Sequence, residues 1–174
     1  MVPVSAASLA AVTGVEAEGV GDDRGGAVLD ERTHLNTMYR RGGERSERSW
    51  SLPHVPGARF GGGKPLYVLS GDSTFSAAEE PAYDLQQFGR AVVVGEPTRG
   101  GAHPCKGWTV HPHLEAAVPT GRAVNPVSGA NWEGIGVQPD IPCAAAESLD
   151  RAHALTLGPC PSPGRCHHAP TMIQ

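Results

Sequence analysis

Two short apolar runs, separated by a stretch with helical spacing, constrain the fold of this chain more than any other feature. Pro65–Ser70 and Ala91–Gly95 are rich in valine and leucine and end in turn residues, as is typical of buried strands. Between them, Ser76–Phe88 spaces its large apolar residues as a helix does, and Gly89 supplies the usual C-terminal glycine. This order predicts two parallel strands joined by a crossover helix.

The flanking segments predict more strands and a final helix. Thr33–Arg40 and Ser46–Leu52 alternate in polarity around a turn at Arg41–Arg45, which indicates a β-hairpin. The remaining predicted elements are strands at Gly107–Val110 and Leu114–Val118 and a helix over Ala144–Leu157.

Two further predictions concern single residues. We expect the three tryptophans, Trp50, Trp108 and Trp132, to pack in the core. We expect Asp140 to cap or close a turn.

The 174 residues divide into three parts. We expect residues 1–27 to be a poorly matching N-terminal segment, in which a short helix could form, and residues 28–157 to be the folded α/β domain. Residues 158–174 are expected to be disordered, because proline and glycine interrupt them too often. The alternative for that tail is a metal site, whose candidate ligands are Cys160, Cys166, His167 and His168. We favour disorder and expect no metal or organic cofactor.

Composition excludes several classes of partner. Fourteen basic and eighteen acidic side chains give a net charge of −4, so nucleic acid is not expected to bind. No apolar run has the length of a membrane span. The N-terminus has no positive charge before Arg24, so we expect no secretory signal, and the sequence does not indicate a compartment.

Ser76 lies where the first predicted strand ends and the helix begins. Such a corner exposes a side chain at the carboxyl end of a strand, where α/β sheets bind ligands. The unpaired N–H groups of the first helical turn can stabilise the oxyanion that forms when a serine attacks a carbonyl. The alternative is a capping box, which Ser76-Ala77-Ala78-Glu79 also fits. The local pattern alone favours the cap and leaves the nucleophile as the alternative.

A longer run around Ser76 carries a family resemblance. Leu69–Glu80 resembles the nucleophile motif of the tail-specific (C-terminal-processing) serine proteases, S41-type, in which Ser-Ala-(Ala/Gly)-Glu opens a helix after a glycine- and threonine-containing turn. The likeness covers roughly residues 28–155 and is closest to the branch of interphotoreceptor retinoid-binding protein and the tricorn core protease. The other segments similar to family motifs are Leu35–Asn36, Trp50–Pro53, Gly89–Gly101, Pro119–Arg122 and Asn131–Asp140.

The resemblance implies a fold and an activity. The fold would be a ClpP/crotonase-like spiral β-β-α core, incomplete at the N-terminus, so that the chain carries the C-terminal part of the domain. The activity would be peptide-bond cleavage through an acyl-enzyme on Ser76, with the Ala77 amide as an oxyanion donor and a peptide or protein as substrate. Open sheet edges in an incomplete fold lead us to expect self-association or low stability.

The family has two catalytic arrangements, and the resemblance favours one of them here. A serine–lysine dyad is not expected, because Thr98–His103 has no lysine where the family has one and Lys106 is offset. The other arrangement uses serine, histidine and a late glutamate, and the resemblance places that glutamate at Glu133, where it would orient a base. The alternative for Glu133 is an ordinary loop carboxylate that caps a turn.

The histidine of that arrangement is missing from the matched segments. In the family it precedes them, as does an Asp-Leu-Arg-x-Asn-x-Gly-Gly segment that supplies a second oxyanion donor, and residues 1–27 contain neither. A lone histidine on a strand or loop is more often structural than catalytic, so we nominate none as the base. The histidines considered are His54, His103, His111 and His113.

Two other functions remain open at this point. The chain could be a non-catalytic remnant or a hydrophobic-ligand-binding module on the same fold. An α/β-hydrolase-like esterase is less favoured, because no G-x-S-x-G surrounds Ser76.

Overall fold

The computed structural model of the protein describes residues 28–42, 46–52 and 60–157. Within them the chain forms a mixed α/β fold, as predicted. The strands are β1 His34–Arg40, β2 Ser46–Trp50, β3 Tyr67–Ser70, β4 Val92–Gly95, β5 Cys105–His111, β6 Leu114–Pro119, β7 Gly121–Val124 and β8 Ile141–Pro142. The helices are α1 Glu79–Gln87 and α2 Ser148–Leu157, each preceded by one 3-10 turn, at Ser76–Ala78 and Ala145–Glu147.

A parallel three-stranded sheet, in the order β3-β4-β8, forms the centre. Tyr67 pairs with Val92 at one end of β3 and Ser70 with Gly95 at the other, which confirms the predicted parallel pair with its crossover helix. The two strands carry valine and leucine because both faces of the sheet are covered: Val68, Val93 and Val94 are fully buried.

Helix α1 covers one face of this sheet. Its Ala82 and Leu85 are buried in the main core cluster with Val68 and Val93, and burying a leucine of this kind stabilises the fold by roughly 1.5–3 kcal/mol. Helix α2 covers the other face through Ala152, which packs with Leu69 and Val94. The sheet is therefore held between two helices, and its carboxyl edge is left to the loops that follow β3 and β4.

A second sheet, β2-β1-β7, is antiparallel. The β1–β2 pairing from His34↔Trp50 to Tyr39↔Ser46 confirms the predicted hairpin, and Gly42 in its turn has a φ of 71°. Strand β7 adds to the other side of β1, from Thr37↔Val124 to Arg40↔Gly121. It was not predicted as a strand, because its four residues are too few to show a clear alternation.

Strands β5 and β6 form a separate antiparallel hairpin, which confirms both predicted strands. The core position predicted for Trp108 is wrong: its side chain is 52% exposed, and the Lys106 ammonium lies 5.0 Å from the centre of its ring. No other sheet in the described ranges pairs with this hairpin, so the indole has no core to enter. Trp132 is buried as predicted, and Trp50 is half-buried against the ring of His34.

Local details refine the predicted boundaries. Helix α1 begins at Glu79, three residues later than predicted, because Ser76–Ala78 forms a 3-10 turn. Gly89 ends the helix with a φ of 63°, as expected of a C-terminal glycine. The turn-closing role predicted for Asp140 is wrong: its Oδ2 accepts the backbone N–H of Val93 at 2.7 Å and so joins β4 to the segment before β8.

Several expectations fall outside the described residues. They are the helix within residues 1–27, the disordered tail at 158–174 with its cysteine–histidine cluster, and the position of His54. The division into three parts and the expected self-association stay predictions. Across the ranges that the structure describes, no helix has the length and apolar character needed to cross a bilayer.

Candidate active site

A tight turn carries the chain from β3 to the 3-10 turn. The Thr74 N–H donates to the Gly71 carbonyl at 3.0 Å, and the Gly71 N–H donates to the Thr74 hydroxyl at 3.1 Å. Thr74 is buried, and its carbonyl accepts the N–H of Arg99 from the loop after β4. The turn is thus closed on itself and tied to the neighbouring loop, which fixes the direction in which Phe75 and Ser76 leave it.

Ser76 is an exposed residue with a strained backbone. Its φ of 56° makes it the one non-glycine residue with a positive φ among the described residues, a conformation that L-residues adopt at a cost of about 1–3 kcal/mol and that clusters at functional sites. The residue is exposed, and its hydroxyl has no hydrogen bond within the described part of the chain. Nucleophilic serines of other folds also lie on strained strand-to-helix turns.

Only one of the two hydrogen bonds of the predicted capping box forms. The Glu79 carboxylate accepts the Ser76 N–H at 2.6 Å, but no side chain caps either the 3-10 turn or α1. The positive φ of Ser76 accounts for this, since an N-cap residue takes an extended conformation. Capping by the hydroxyl therefore does not explain the serine at this corner.

Glu79 is the buried anchor of the site. Its side chain is 0% exposed, and four donors surround its carboxylate. Oε1 accepts the Thr98 hydroxyl at 2.5 Å and the Gly100 N–H at 2.7 Å, while Oε2 accepts the N–H groups of Gly101 at 2.8 Å and Ser76 at 2.6 Å. A buried carboxylate is stable only when its oxygens are satisfied in this way. Glu79 thus holds the serine turn against the glycine-rich loop Thr98–His103.

The glycine-rich loop is also paired on its other side with residues 132–137. Thr98 and Val137 exchange two bonds, one between backbones at 3.2 Å and one from the Val137 N–H to the Thr98 hydroxyl at 2.7 Å. The Gly134 N–H donates to the Gly100 carbonyl at 2.9 Å. This pairing brings Glu133, distant in sequence, to the loop that Glu79 already holds beside Ser76.

Close backbone approach explains one of the glycines in this pairing. A Cβ on Gly136 would lie 2.0 Å from the Thr98 carbonyl oxygen, whereas a Cβ on Gly134 would have no atom within 4 Å, although both residues have positive φ. We expect Gly134→Ala to lower the free energy of unfolding by about 1 kcal/mol and Gly136→Ala by about 3 kcal/mol or more. Urea unfolding of the two variants measures the difference, and equal losses would contradict the close contact.

Glu133 contacts the C-terminal end of the glycine-rich loop Thr98–His103. Its Oε2 accepts the N–H groups of Ala102 at 2.7 Å and His103 at 2.8 Å, and its Oε1 lies 3.7 Å from Nδ1 of the His103 ring. The carboxylate therefore does bind turn amides, as the structural alternative expected, and also faces an imidazole. His103 was considered in the sequence and not nominated, because nothing in the sequence indicates that the chain folds it against Glu133.

The backbone N–H of Ala77 lies directly after Ser76. The residue is exposed, and its N–H has no acceptor among the described residues, while the next amide, of Ala78, bonds the Phe75 carbonyl. An unpaired N–H at the start of a helical turn can bind a developing negative charge. The candidate site thus joins Ser76, Ala77 and the Glu79-bound loop directly. Glu133 is joined through that loop, with no hydrogen bond to Ser76 in the described ranges.

Comparison with known proteins relates this scaffold to a family. The sequence matches Peptidase family S41 over residues 23–143. The fold is similar to that of the photosystem II D1 C-terminal processing protease, at a TM-score of 0.53 and 24% identity over 75% of this chain and 33% of that one. It is also similar to a protein from Parabacteroides merdae, at a TM-score of 0.62 and 17% identity over 75% and 45% of the two chains.

A third structure agrees with these two. A lipoprotein from Streptococcus agalactiae matches at a TM-score of 0.52 and 14% identity, over 74% of this chain and 46% of that one. The chain spans between a third and just under half of the length of these three proteins. The branch within the family stays a prediction. Because the family match covers more than half of the chain, the chain belongs to Peptidase family S41 and carries a serine-protease-like domain.

Proposed function

We propose that this domain is a serine-type peptidase that cleaves peptide bonds through an acyl-enzyme on Ser76. One observation carries the proposal: an exposed serine with a φ of 56° is followed directly by an amide that has no acceptor among the described residues. The hydroxyl attacks a peptide carbonyl and the Ala77 N–H donates to the resulting oxyanion. The C–N bond then breaks, the serine proton goes to the leaving amine through a base, and water hydrolyses the ester.

In this proposal Glu133 is the carboxylate that orients the base. Two backbone amides fix one of its oxygens, which leaves the other free to face a basic side chain. A carboxylate so placed holds an imidazole in one orientation and stabilises its cation once a proton has arrived. The proposed substrate is a peptide or an unstructured protein segment, and the proposed chemistry uses protein groups alone.

The test is cleavage of an unfolded protein substrate, followed as the release of new amino termini. We expect Ser76→Ala to lower the rate by about 10³-fold or more, because removal of a catalytic serine removes the covalent route. Ser73→Ala changes an exposed serine of the same loop and is the matched control. Cleavage that survives in Ser76→Ala would contradict the proposal. Absence of cleavage by the unmodified chain would favour the alternative of a non-catalytic or ligand-binding module.

A further inference from the structure

The His103 ring lies between two polar side chains, one at each ring nitrogen. Nδ1 is 3.7 Å from Glu133 Oε1, and Nε2 is 3.5 Å from Asn131 Nδ2. The His103 side chain is 28% exposed, so the ring is partly enclosed but still reachable. Which nitrogen carries the proton in the neutral ring depends on what each neighbour can donate or accept.

The Asn131 amide settles that question. Its Oδ1 accepts the Glu133 N–H at 3.0 Å, and its Nδ2 donates to the Ala123 carbonyl at 2.7 Å. Two backbone partners of opposite kind thus fix which end of the amide is oxygen and which is nitrogen. The group facing His103 Nε2 is therefore an N–H donor, which favours the tautomer with the Nε2 lone pair toward Asn131 and the Nδ1 hydrogen toward Glu133.

This tautomer is the one that a general base requires. A base needs an unprotonated nitrogen to take a proton and, on the other nitrogen, an N–H held by a carboxylate. The contacts to Nε2 and Nδ1 are both long, and hydrogen bonds of catalytic groups often tighten only when substrate is bound. The Asn131 contact is weak enough for Nε2 to exchange it for another donor.

Backbone contacts bring His103 near Ser76. Glu79 Oε2 accepts the N–H groups of both Ser76 and Gly101, so these two nitrogens share one acceptor atom and lie side by side. His103 follows Gly101 by two residues, a span of at most about 7 Å even when fully extended. The imidazole therefore belongs to the loop that borders the exposed serine.

From these contacts we propose that His103 is the general base of the site, with Glu133 and Asn131 as its positioning residues. This inference rests on the proposed function. Nε2 takes the Ser76 hydroxyl proton as Oγ forms its bond to the substrate carbonyl carbon, and Nδ1–H stays with Glu133. The imidazolium then gives that proton to the leaving amine as the C–N bond breaks, so the ring returns to its starting tautomer.

The test measures the second-order rate at which a fluorophosphonate probe labels Ser76 in the full chain. We expect His103→Ala to lower this rate by about 10²–10⁴-fold, the usual contribution of a general base, and added imidazole to restore part of it. His111→Ala, on the exposed strand β5, is the matched control and should label as the unmodified chain does. Asn131→Ala should slow labelling less than His103→Ala, because it frees the ring without removing it.

Each result has a distinct meaning. Slow labelling of His103→Ala that imidazole accelerates supports the inference, since a merely structural histidine would not be replaced by a free base. Labelling at the unmodified rate, or a loss that imidazole does not relieve, would overturn His103 as the base and leave Ser76 as the nucleophile. If the unmodified chain shows no labelling at Ser76, the inference and the proposed function fail together.

Discussion

Replacing Glu79 by glutamine is expected to lower the free energy of unfolding by about 3–5 kcal/mol. All four groups around the carboxylate, from Ser76, Thr98, Gly100 and Gly101, are donors. A glutamine keeps one acceptor oxygen and turns an NH₂ group toward the donors that the other oxygen satisfied. Two donors then lose their acceptor, whichever way the amide is turned, so the loss exceeds that of a single hydrogen bond.

The same substitution should also abolish the geometry at Ser76. The N–H of Ser76 is held by Glu79 Oε2, and loss of that bond removes a contact that offsets the strain of a positive φ. Urea unfolding gives the stability, and probe labelling of Ser76 gives the effect on the site. Glu147→Gln, an exposed carboxylate before α2, is the matched control. A Glu79→Gln variant as stable as this control would show that the carboxylate is not the anchor.

Replacing Asp84 by asparagine is expected to raise stability in neutral and alkaline solution and to leave it nearly unchanged in acid. Asp84 is 3% exposed on α1, and its Oδ1 accepts an N–H of Asn125 at 2.8 Å. Burial raises the pKa of this carboxyl from 3.8 to about 7, with the charge of Glu80 adding to the shift and the bonds from Asn125 and Asn36 opposing it.

The direction of this pH dependence follows from which state, folded or unfolded, binds the proton on Asp84. Between pH 4 and pH 7 the folded protein holds a proton on Asp84 that the unfolded chain has released, so stability falls as the pH rises through this window and is level above it. A shift from 3.8 to about 7 corresponds to a loss on the order of 4 kcal/mol. Asparagine is neutral at every pH and can keep the bond from Asn125.

Denaturant unfolding at a series of pH values between 4 and 8 measures this effect. The stability of Asp84→Asn minus that of the unmodified chain should grow through the window and then level off. Other carboxylates titrate in both proteins and cancel in the difference. Asp150→Asn, on the exposed side of α2, is the control and should give a flat difference, and a flat difference for Asp84→Asn would contradict the raised pKa.

The centre of the fold could be predicted from the sequence because its signals are local. The short apolar runs that became β3 and β4, and the helical spacing between them, each determine one element and together imply a parallel pair. The hairpin around Gly42 followed from alternation and a turn in the same way. Trp108 was misplaced because burial depends on what packs against a strand, and no local pattern shows that the β5–β6 hairpin lacks a covering layer.

The candidate site was only partly predictable for a related reason. Ser76 could be nominated from its place between a strand and a helix, but no local pattern showed its positive φ, and the Glu79 carboxylate that binds its N–H is itself held by the distant loop after β4. The pairing of Glu133 with His103 depends on the backbone bonds between the glycine-rich loop and residues 132–137. Contacts of this kind between residues some thirty positions apart leave no periodicity, so a lone histidine after a glycine pair carried no signal.

The central claim is that the corner at Ser76 presents an acylable hydroxyl, and mapping the covalent adduct tests it most directly. The chain is treated with a fluorophosphonate probe, digested, and fragmented in a mass spectrometer to assign the modified residue. We expect one adduct, on Ser76, that disappears in Ser76→Ala and persists in Ser73→Ala. An unmodified Ser76, or an adduct spread over other exposed serines, would contradict the account.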